Sequence, residues 1–569
     1  MNRTFNFGEW LPWEQNASPL LLTMTLNAGM DDLREYFGMP LWTTVIIFEN
    51  NQAKWLFRPK ELKLLGQKMI DFLMSPPLRS SFFEGFDNAT SSLVEEAERI
   101  QFSTDLKSLS NADLVKEFNN FAKRYYAWYK FGWFCEPIQF QSTDLITACL
   151  EKEVQTLPES VAVADAKQAL FTLEEDSFTI AILEDLRLCS LALGSALKSG
   201  QLDHELVDEM SAPNFPKVAA QKVLLALEQK NSPELTALGS SLKEHQKRYY
   251  WKKNNYFSTT FLTEKDVLEE IFGSDGFDVS DPAASFSREL EQARSNKERQ
   301  LGLKKDLMRL LSPYYRNLVG LVATVGGSLL DRRKRIIMIV NAAVDKILEE
   351  VSSRTSTPIG DIRYLIPQEL EYFLESPGEY KDRLNERKEI FVVFQADFPL
   401  VPELAADVLS SLNNTEPNFS TLGMSDPYLA EGEHAIRTLD QLNPLLNFLK
   451  ASELDGERIQ GVVVYFNSQQ PVIEGVARII KDPKAEFLQT GEILVAPSTT
   501  PDYMDAIRRC SAIVTDWGGQ TSHAAITSRE LSKPCIIGTN FASQILKNGD
   551  RVRIDFNEAS VEIVSTERS

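Results

Sequence analysis

Apolar residues recur at helical spacing over most of the first two thirds of the chain. Leu62, Leu65, Met69, Ile70 and Leu73 mark one helix, which should stop near Pro76-Pro77. Asn111-Ala112-Asp113-Leu114 opens a second, with Asn111 as its cap, running through Phe118, Phe121, Tyr125 and Trp128. Residues 181–197 and 218–227 predict two more amphipathic helices. The period returns strongly over 304–351, where the charged run Asp331-Arg332-Arg333-Lys334-Arg335 interrupts it. Residues 283–294 and the lysine-rich run to Lys305 are too polar for an obvious apolar face and read as exposed connections. Residues 361–365, followed by Pro367-Gln368-Glu369-Leu370, predict a turn into a helix with proline in its first turn.

Strand character appears at the two ends. Residues 41–48 read as a strand, 49–52 as a turn and 53–57 as an antiparallel return. Residues 10–15 are aromatic and irregular, either surface packing or a lip over a pocket. Near the C-terminus the apolar run Ser511-Ala512-Ile513-Val514 reads as a buried strand, and 522–531 as a helix. Two polar breaks, 410–427 and 452–458, read as linkers. At about 3.3 Å per extended residue, such segments permit displacements of tens of ångströms. The pattern thus predicts an α+β multidomain protein. A small mixed α/β segment spans 1–60, a mainly helical region 61–409, a linker and helix 410–459, and a separate domain 460–569.

The stretch joining the late strand to the late helix carries the candidate chemistry: Thr515-Asp516-Trp517-Gly518-Gly519-Gln520-Thr521-Ser522-His523-Ala524-Ala525-Ile526. Glycine permits a tight turn and close backbone approach. Thr521 or Ser522 is a good N-cap. Backbone N–H groups at a helix N-terminus attract anions, and the small residues Ala524 and Ala525 leave room beside the imidazole. A neutral imidazole can attack phosphorus and hand the group on. His523 is therefore a candidate phosphoryl carrier, with Thr515, Gly518, Gly519, Thr521 and Ser522 positioning the phosphate. The competing account is a structural histidine among small residues.

Composition narrows the partners. The 569 residues carry a formal net charge of −21, which argues against nucleic acid, whose phosphates need Lys and Arg to neutralise them. Five scattered cysteines without a C-x-x-C pair fit free thiols in a reducing compartment. The N-terminus lacks a signal-peptide pattern and no apolar run approaches a membrane span, so a cytoplasmic protein without membrane or metal cluster is expected. Within the acidic chain, residues 246–257 interleave basic and aromatic side chains. Solvated lysines at a helix end explain them. The alternative places Arg248, Trp251, Lys252 or Lys253 near an incoming phosphoryl group, where a cation stabilises developing charge. The crowded aromatics 125–134 are core by spacing, with an apolar acceptor pocket as the alternative.

The motif Gly518, Gly519, Thr521, His523, Ala524, Ala525, Ile526, Thr527, Ser528, Arg529 resembles the phosphohistidine signature of the phosphoenolpyruvate-utilising enzymes, in their swivelling or mobile domain. Thr527 departs from it, standing where an aliphatic residue is usual. The resemblance is specific over roughly 460–566, where it implies a β/β/α swivelling domain, and loose elsewhere. It implies that His523 is phosphorylated. Arg529 would orient its helix or pair with an acid, or contact phosphate.

Dikinases of this family add an ATP-grasp domain and, for pyruvate, a C-terminal barrel. Neither is expected here, and no G-x-x-x-x-G-K-[ST] pattern occurs. Gly326-Gly327 lies in an apolar helical stretch and is a poor phosphate cradle. The resemblance therefore implies a carrier and acceptor-binding subunit, with a division of labour like that of phenylphosphate synthase. A separate ATP-grasp partner would supply the phosphoryl group using ATP and Mg2+, and a small molecule would accept it. The alternatives are a non-catalytic binding or regulatory subunit and a cryptic nucleotide site in the helical region.

Overall fold

The structure is a computed structural model. It describes residues 3–5, 11–27, 37, 44–49, 52–57, 59–153, 163–202, 214–229, 232–395, 428–446, 448–450, 458–467 and 469–566. The expected linkers at 410–427 and 452–457, the turn residues Asn50 and Asn51, and Trp10 lie outside these. The chain is mainly helical with a strand-rich C-terminal domain, an α+β multidomain architecture. It divides into two units, each assembled from separated stretches of sequence. One comprises 1–146, 255–259 and 314–457; the other comprises 147–254, 260–313 and 458–569.

The first unit pairs a helical bundle with an antiparallel five-stranded sheet. The strand order is Leu11–Asn16, Gln52–Phe57, Thr44–Glu49, Phe391–Gln395, Tyr428–Glu431. The predicted hairpin is present, with Val45 opposite Leu56. Leu11–Asn16 is an ordinary strand on Gln52–Phe57, with Trp13 opposite Trp55, rather than an irregular segment. The helix Pro59–Met74 ends before the two prolines as predicted. Those prolines then open the next helix, Pro76–Phe102, because a first-turn proline needs no N–H. The cap of Asn111–Gly132 is Ser110, which accepts from Asp113 N; Asn111 is the first helical residue.

Asp331 to Arg335 do not interrupt their helix. They lie in Leu330–Thr355, and the buried Arg333 is tied to Glu136 and to the Gly132 carbonyl at 2.8 Å. A side chain at Gly132 would meet Arg333 Cδ at 2.8 Å, so glycine makes room for the guanidinium stem. Gly326-Gly327 sits in a π-helical turn, Thr324–Leu329, just before that helix. The aromatic cluster is core: Tyr125, Trp128, Tyr129, Trp133 and Phe134 are all buried. Two of their polar tips are satisfied internally, with Trp128 Nε1 donating to Thr90 Oγ1 and Tyr125 sharing a 2.8 Å bond with Thr25.

The second unit holds the candidate site. Its helices include α1 (Val163–Phe171), α2 (Phe178–Lys198), α3 (Phe215–Gln229), α4 (Pro233–Tyr249), α5 (Glu264–Phe272), α6 (Ala284–Leu310), α7 (Met504–Arg509) and α8 (His523–Glu530). Helix α6 replaces the exposed connection predicted for 283–305. Its buried stripe includes Phe286, Leu290, Ala293, Asn296, Gln300, Lys304 and Leu307. The spacing is helical, but three polar residues in the stripe hide it from a hydrophobicity reading. Two of them are bonded inside: Asn296 donates to the Arg529 carbonyl, Lys304 to the Thr172 carbonyl.

The C-terminal sheet has strands β1 (Ile459–Gln460), β2 (Val462–Tyr465), β3 (Val472–Ile479), β4 (Ile493–Ala496), β5 (Ala512–Thr515), β6 (Cys535–Ile537), β7 (Asp550–Asp555) and β8 (Ser560–Thr566). Their spatial order is β1-β8-β7-β3-β4-β5-β6-β2. The edge strands β1 and β2 are separated in sequence by Gly461 alone. A Cβ there would collide with Ile536 and with the Ile537 carbonyl, so the close approach requires glycine. Strands β3 to β6 run parallel, and β4 and β5 are buried throughout, as a strand covered on both faces must be.

Candidate functional site

In a parallel sheet with helical crossovers, the loops beyond the strands' carboxyl ends converge, and ligands bind there. Strand β4 ends at Ala496 and leads through Pro497-Ser498 to Thr499. Strand β5 ends at Thr515 and leads into Asp516-Trp517-Gly518-Gly519. The two loops are pinned side by side: Asp516 N donates to the Ala496 carbonyl (3.1 Å), and Trp517 N to the Pro497 carbonyl (2.9 Å).

Asp516 is wholly buried and anchors the loop. It accepts from Ser543 N at 2.9 Å, from the Ser543 hydroxyl, and from Thr539 Oγ1 at 3.2 Å. Thr515 Oγ1 spans the turn to the Trp517 carbonyl at 2.9 Å. Gly518 then takes φ +133°, and a Cβ there would lie 2.8 Å from Ser522 Oγ, so this turn admits glycine only. Ser522 caps α8, its hydroxyl accepting from Ala525 N at 3.3 Å. His523 is thereby placed as the first residue of the helix.

His523 is 2% exposed. Its Nδ1 lies 3.0 Å from Thr499 Oγ1. In the tautomer with Nδ1–H donating to Thr499, the lone pair resides on Nε2. Thr521 Oγ1, in the loop two residues before His523, is buried with no hydrogen-bond partner among the described residues. A buried hydroxyl in that condition costs about 1–3 kcal/mol. Thr527 Oγ1, at the position that departs from the signature, is in the same state.

Arg529 contacts the loop. Its Nη2 donates to the Gln520 carbonyl at 2.6 Å, its guanidinium lies over Phe171, and burial lowers its pKa to about 10. It holds Gln520 and hence the turn. Gln520 in turn donates to the Val463 carbonyl on β2.

The basic-aromatic stretch is split. Arg248 is exposed and pairs with Asp185 at 2.7 Å, and Lys252 is buried on Glu270 at 2.5 and 2.7 Å. Trp251 reaches the site's neighbourhood, packing edge-on against Phe178 at 5.5 Å. Phe178, the first residue of α2, stacks on the His523 imidazole, with ring centroids 5.8 Å apart and planes 17° apart.

Four groups at or around the histidine were not foreseen: Thr499, Phe178, the Asp516 network, and Glu530 on Ser177. Thr499 had a local signal, a polar run straight after an apolar strand. Phe178 is hundreds of residues from His523, and no periodicity reports a contact of that range. Among the described residues no three His, Cys, Asp or Glu gather as a metal site. No described helix is long and apolar enough to cross a membrane. The five cysteines are all buried and unbridged.

Known proteins share this part of the chain. Residues 488–559 match the family model described as PEP-utilising enzyme, mobile domain. A probable phosphoenolpyruvate synthase of Staphylothermus marinus is 49% identical over 84 residues, 14% of this chain and 10% of that protein. One of Methanothermobacter thermautotrophicus is 38% identical over 123 residues, 21% and 18% of the two chains. The phosphoenolpyruvate synthase of Pyrococcus furiosus is 53% identical over 80 residues, 14% and 10%. The matched stretch thus spans between 10% and 18% of the length of these three relatives.

Proposed function

Because residues 488–559 match the mobile domain of the phosphoenolpyruvate-utilising enzymes, we propose that the chain is the carrier subunit of a phosphotransferase. His523 takes a phosphoryl group from a separate ATP-binding partner and passes it to a small-molecule acceptor. The observation that carries this is the placing of His523 itself. It opens α8 behind the Gly518-Gly519 turn, with Thr499 on Nδ1 and the orphan hydroxyl of Thr521 two residues away.

Nε2 attacks phosphorus; an N–P bond forms as the P–O bond to the donor breaks. In the second step an acceptor hydroxyl oxygen attacks and gives its proton to water, the N–P bond breaks and the imidazole regains its lone pair. On this reading Thr499 accepts from Nδ1–H and leaves Nε2 as the attacking nitrogen. The N-terminus of α8 adds about 0.3–1 kcal/mol toward holding the anionic group, too little to drive transfer alone. Positioning and a cation on the opposing protein supply the rest. On this proposal Mg2+ and ATP belong to the partner, where the metal neutralises phosphate charge.

A second reading has one observation in its favour. An imidazole in a residue 2% exposed and stacked on Phe178 is also what a structural histidine in a non-catalytic docking subunit would look like. Incubation with ATP labelled in both its β- and γ-phosphates and host extract separates the two. The carrier takes up acid-labile label that chases into a small molecule, and His523→Ala takes up none. Full biological function retained by His523→Ala would establish the docking subunit instead.

A further inference from the structure

A small set of side-chain contacts ties His523 and its helix to the helices of residues 163–310. Ser177 caps α2 through its hydroxyl, which accepts from Thr179 N. The same residue donates to Glu530, at the end of α8, through its N–H (3.1 Å) and its hydroxyl. Phe178 follows and covers the imidazole. Asn296 on α6 donates to the Arg529 carbonyl at 3.0 Å.

On the other side Arg508 of α7 is only 9% exposed in its side chain. It binds Glu289 of α6 at 2.9 Å and Glu270 of α5 at 3.3 Å, while lying over Phe286. Glu270 also holds Lys252, so one carboxylate joins two cations. These contacts link the C-terminal domain to helices that precede it by hundreds of residues. Most are charged or polar and can be re-solvated when they part, unlike an apolar core.

We infer that the segment Ser177-Phe178-Thr179 is a built-in cover for His523, latched by Arg508 on Glu270 and Glu289 and by Glu530 on Ser177. In this state the chain shields its own nucleophile, and release of the latch exposes it. The cover governs access and holds whether or not His523 carries phosphate. Its consequence for transfer rests on the carrier function proposed above: phosphorylation by a partner requires the unlatched state.

Diethyl pyrocarbonate, which acylates accessible neutral imidazoles, tests the cover on the full chain, read by peptide mass spectrometry. Two other histidines calibrate it: His434 is exposed, and His245 is 1% exposed within α4. The cover predicts that His523 reacts at least tenfold more slowly than His434. Arg508→Gln and Phe178→Ala should each raise the His523 rate at least tenfold while His245 stays protected, which shows that the unit remains folded. If Arg508→Gln exposes His245 as well, the milder Glu289→Gln replaces it under the same criterion.

Equal rates for His523 and His434 in the unaltered chain, or latch variants in which His523 stays as protected as before, overturn the inference. Such a result leaves the carrier function standing. Conversely, a covered His523 that never acquires phosphate refutes the carrier and leaves the cover.

Discussion

Glu530 offers a sharp test of the packing around α8. Burial raises its pKa from 4.5 to about 7, against the pull of Ser177's two hydrogen bonds and of Lys297, and with the push of Asp176. The folded state therefore binds more protons than the open state between pH 4.5 and about 7, and its stability falls as pH rises through that window. Every tenfold difference in proton affinity between the two states is worth about 1.4 kcal/mol. The full penalty is then roughly 3 kcal/mol, and most of it develops between pH 5 and 8. That corresponds to an opening constant for α8 about one hundredfold larger at pH 8 than at pH 5. Hydrogen exchange of the amides of 523–530 and 178–182, corrected for intrinsic rates, measures it. Glu530→Gln keeps the shape but cannot ionise, so its opening constant should lose this pH dependence. Groups that titrate in both proteins cancel in the comparison. Identical slopes in the two, or stronger protection of the unaltered chain at pH 8, would refute the assignment of a buried, proton-holding Glu530.

Other perturbations address the site and the first unit. Gly518→Ala must displace Ser522 or abandon φ +133°; a strained backbone costs about 1–3 kcal/mol, and phosphate uptake by His523 should fall at least tenfold with the chain still folded by circular dichroism. Thr499→Val preserves shape and removes the bond to Nδ1, worth about 1 kcal/mol; nitrogen NMR of labelled histidine should show the tautomer balance of His523 moving, and an unchanged spectrum would contradict the role given to Thr499. Arg333→Ala in the first unit removes the partner of Glu136, whose side chain is 29% exposed, and leaves a void beside Gly132 and Tyr129; losing a hydrogen bond to a charged group costs about 1.5–3 kcal/mol, so the melting temperature should drop by several degrees, and an unchanged one would contradict the role given to Arg333.

The C-terminal motif was legible because its chemistry is local. Gly518, Ser522 and His523 lie within one turn and one helix start, so spacing alone encodes their geometry. The hairpin in the first unit was legible for the same reason. Helix α6 was not, because its buried face carries Asn296, Gln300 and Lys304, and the partners of Asn296 and Lys304 lie far away in sequence. Arg333 misled in the opposite direction: a run of charge looked like a break until Glu136 and the Gly132 carbonyl were seen to receive it. Phe178 and Arg508 belong to contacts spanning hundreds of residues. Nothing in a periodic pattern records such pairs, and the units themselves are assembled from discontinuous stretches.

Whether His523 carries a phosphoryl group is tested most directly by peptide mass spectrometry at neutral to alkaline pH, after incubation with Mg-ATP and host extract, which locates any acid-labile phosphate on the chain. A carrier histidine predicts phosphate on the peptide holding His523, dependent on the extract and absent from His523→Ala. Phosphate at another residue, or an unmodified His523 in an extract that labels the acceptor through this protein, would contradict it.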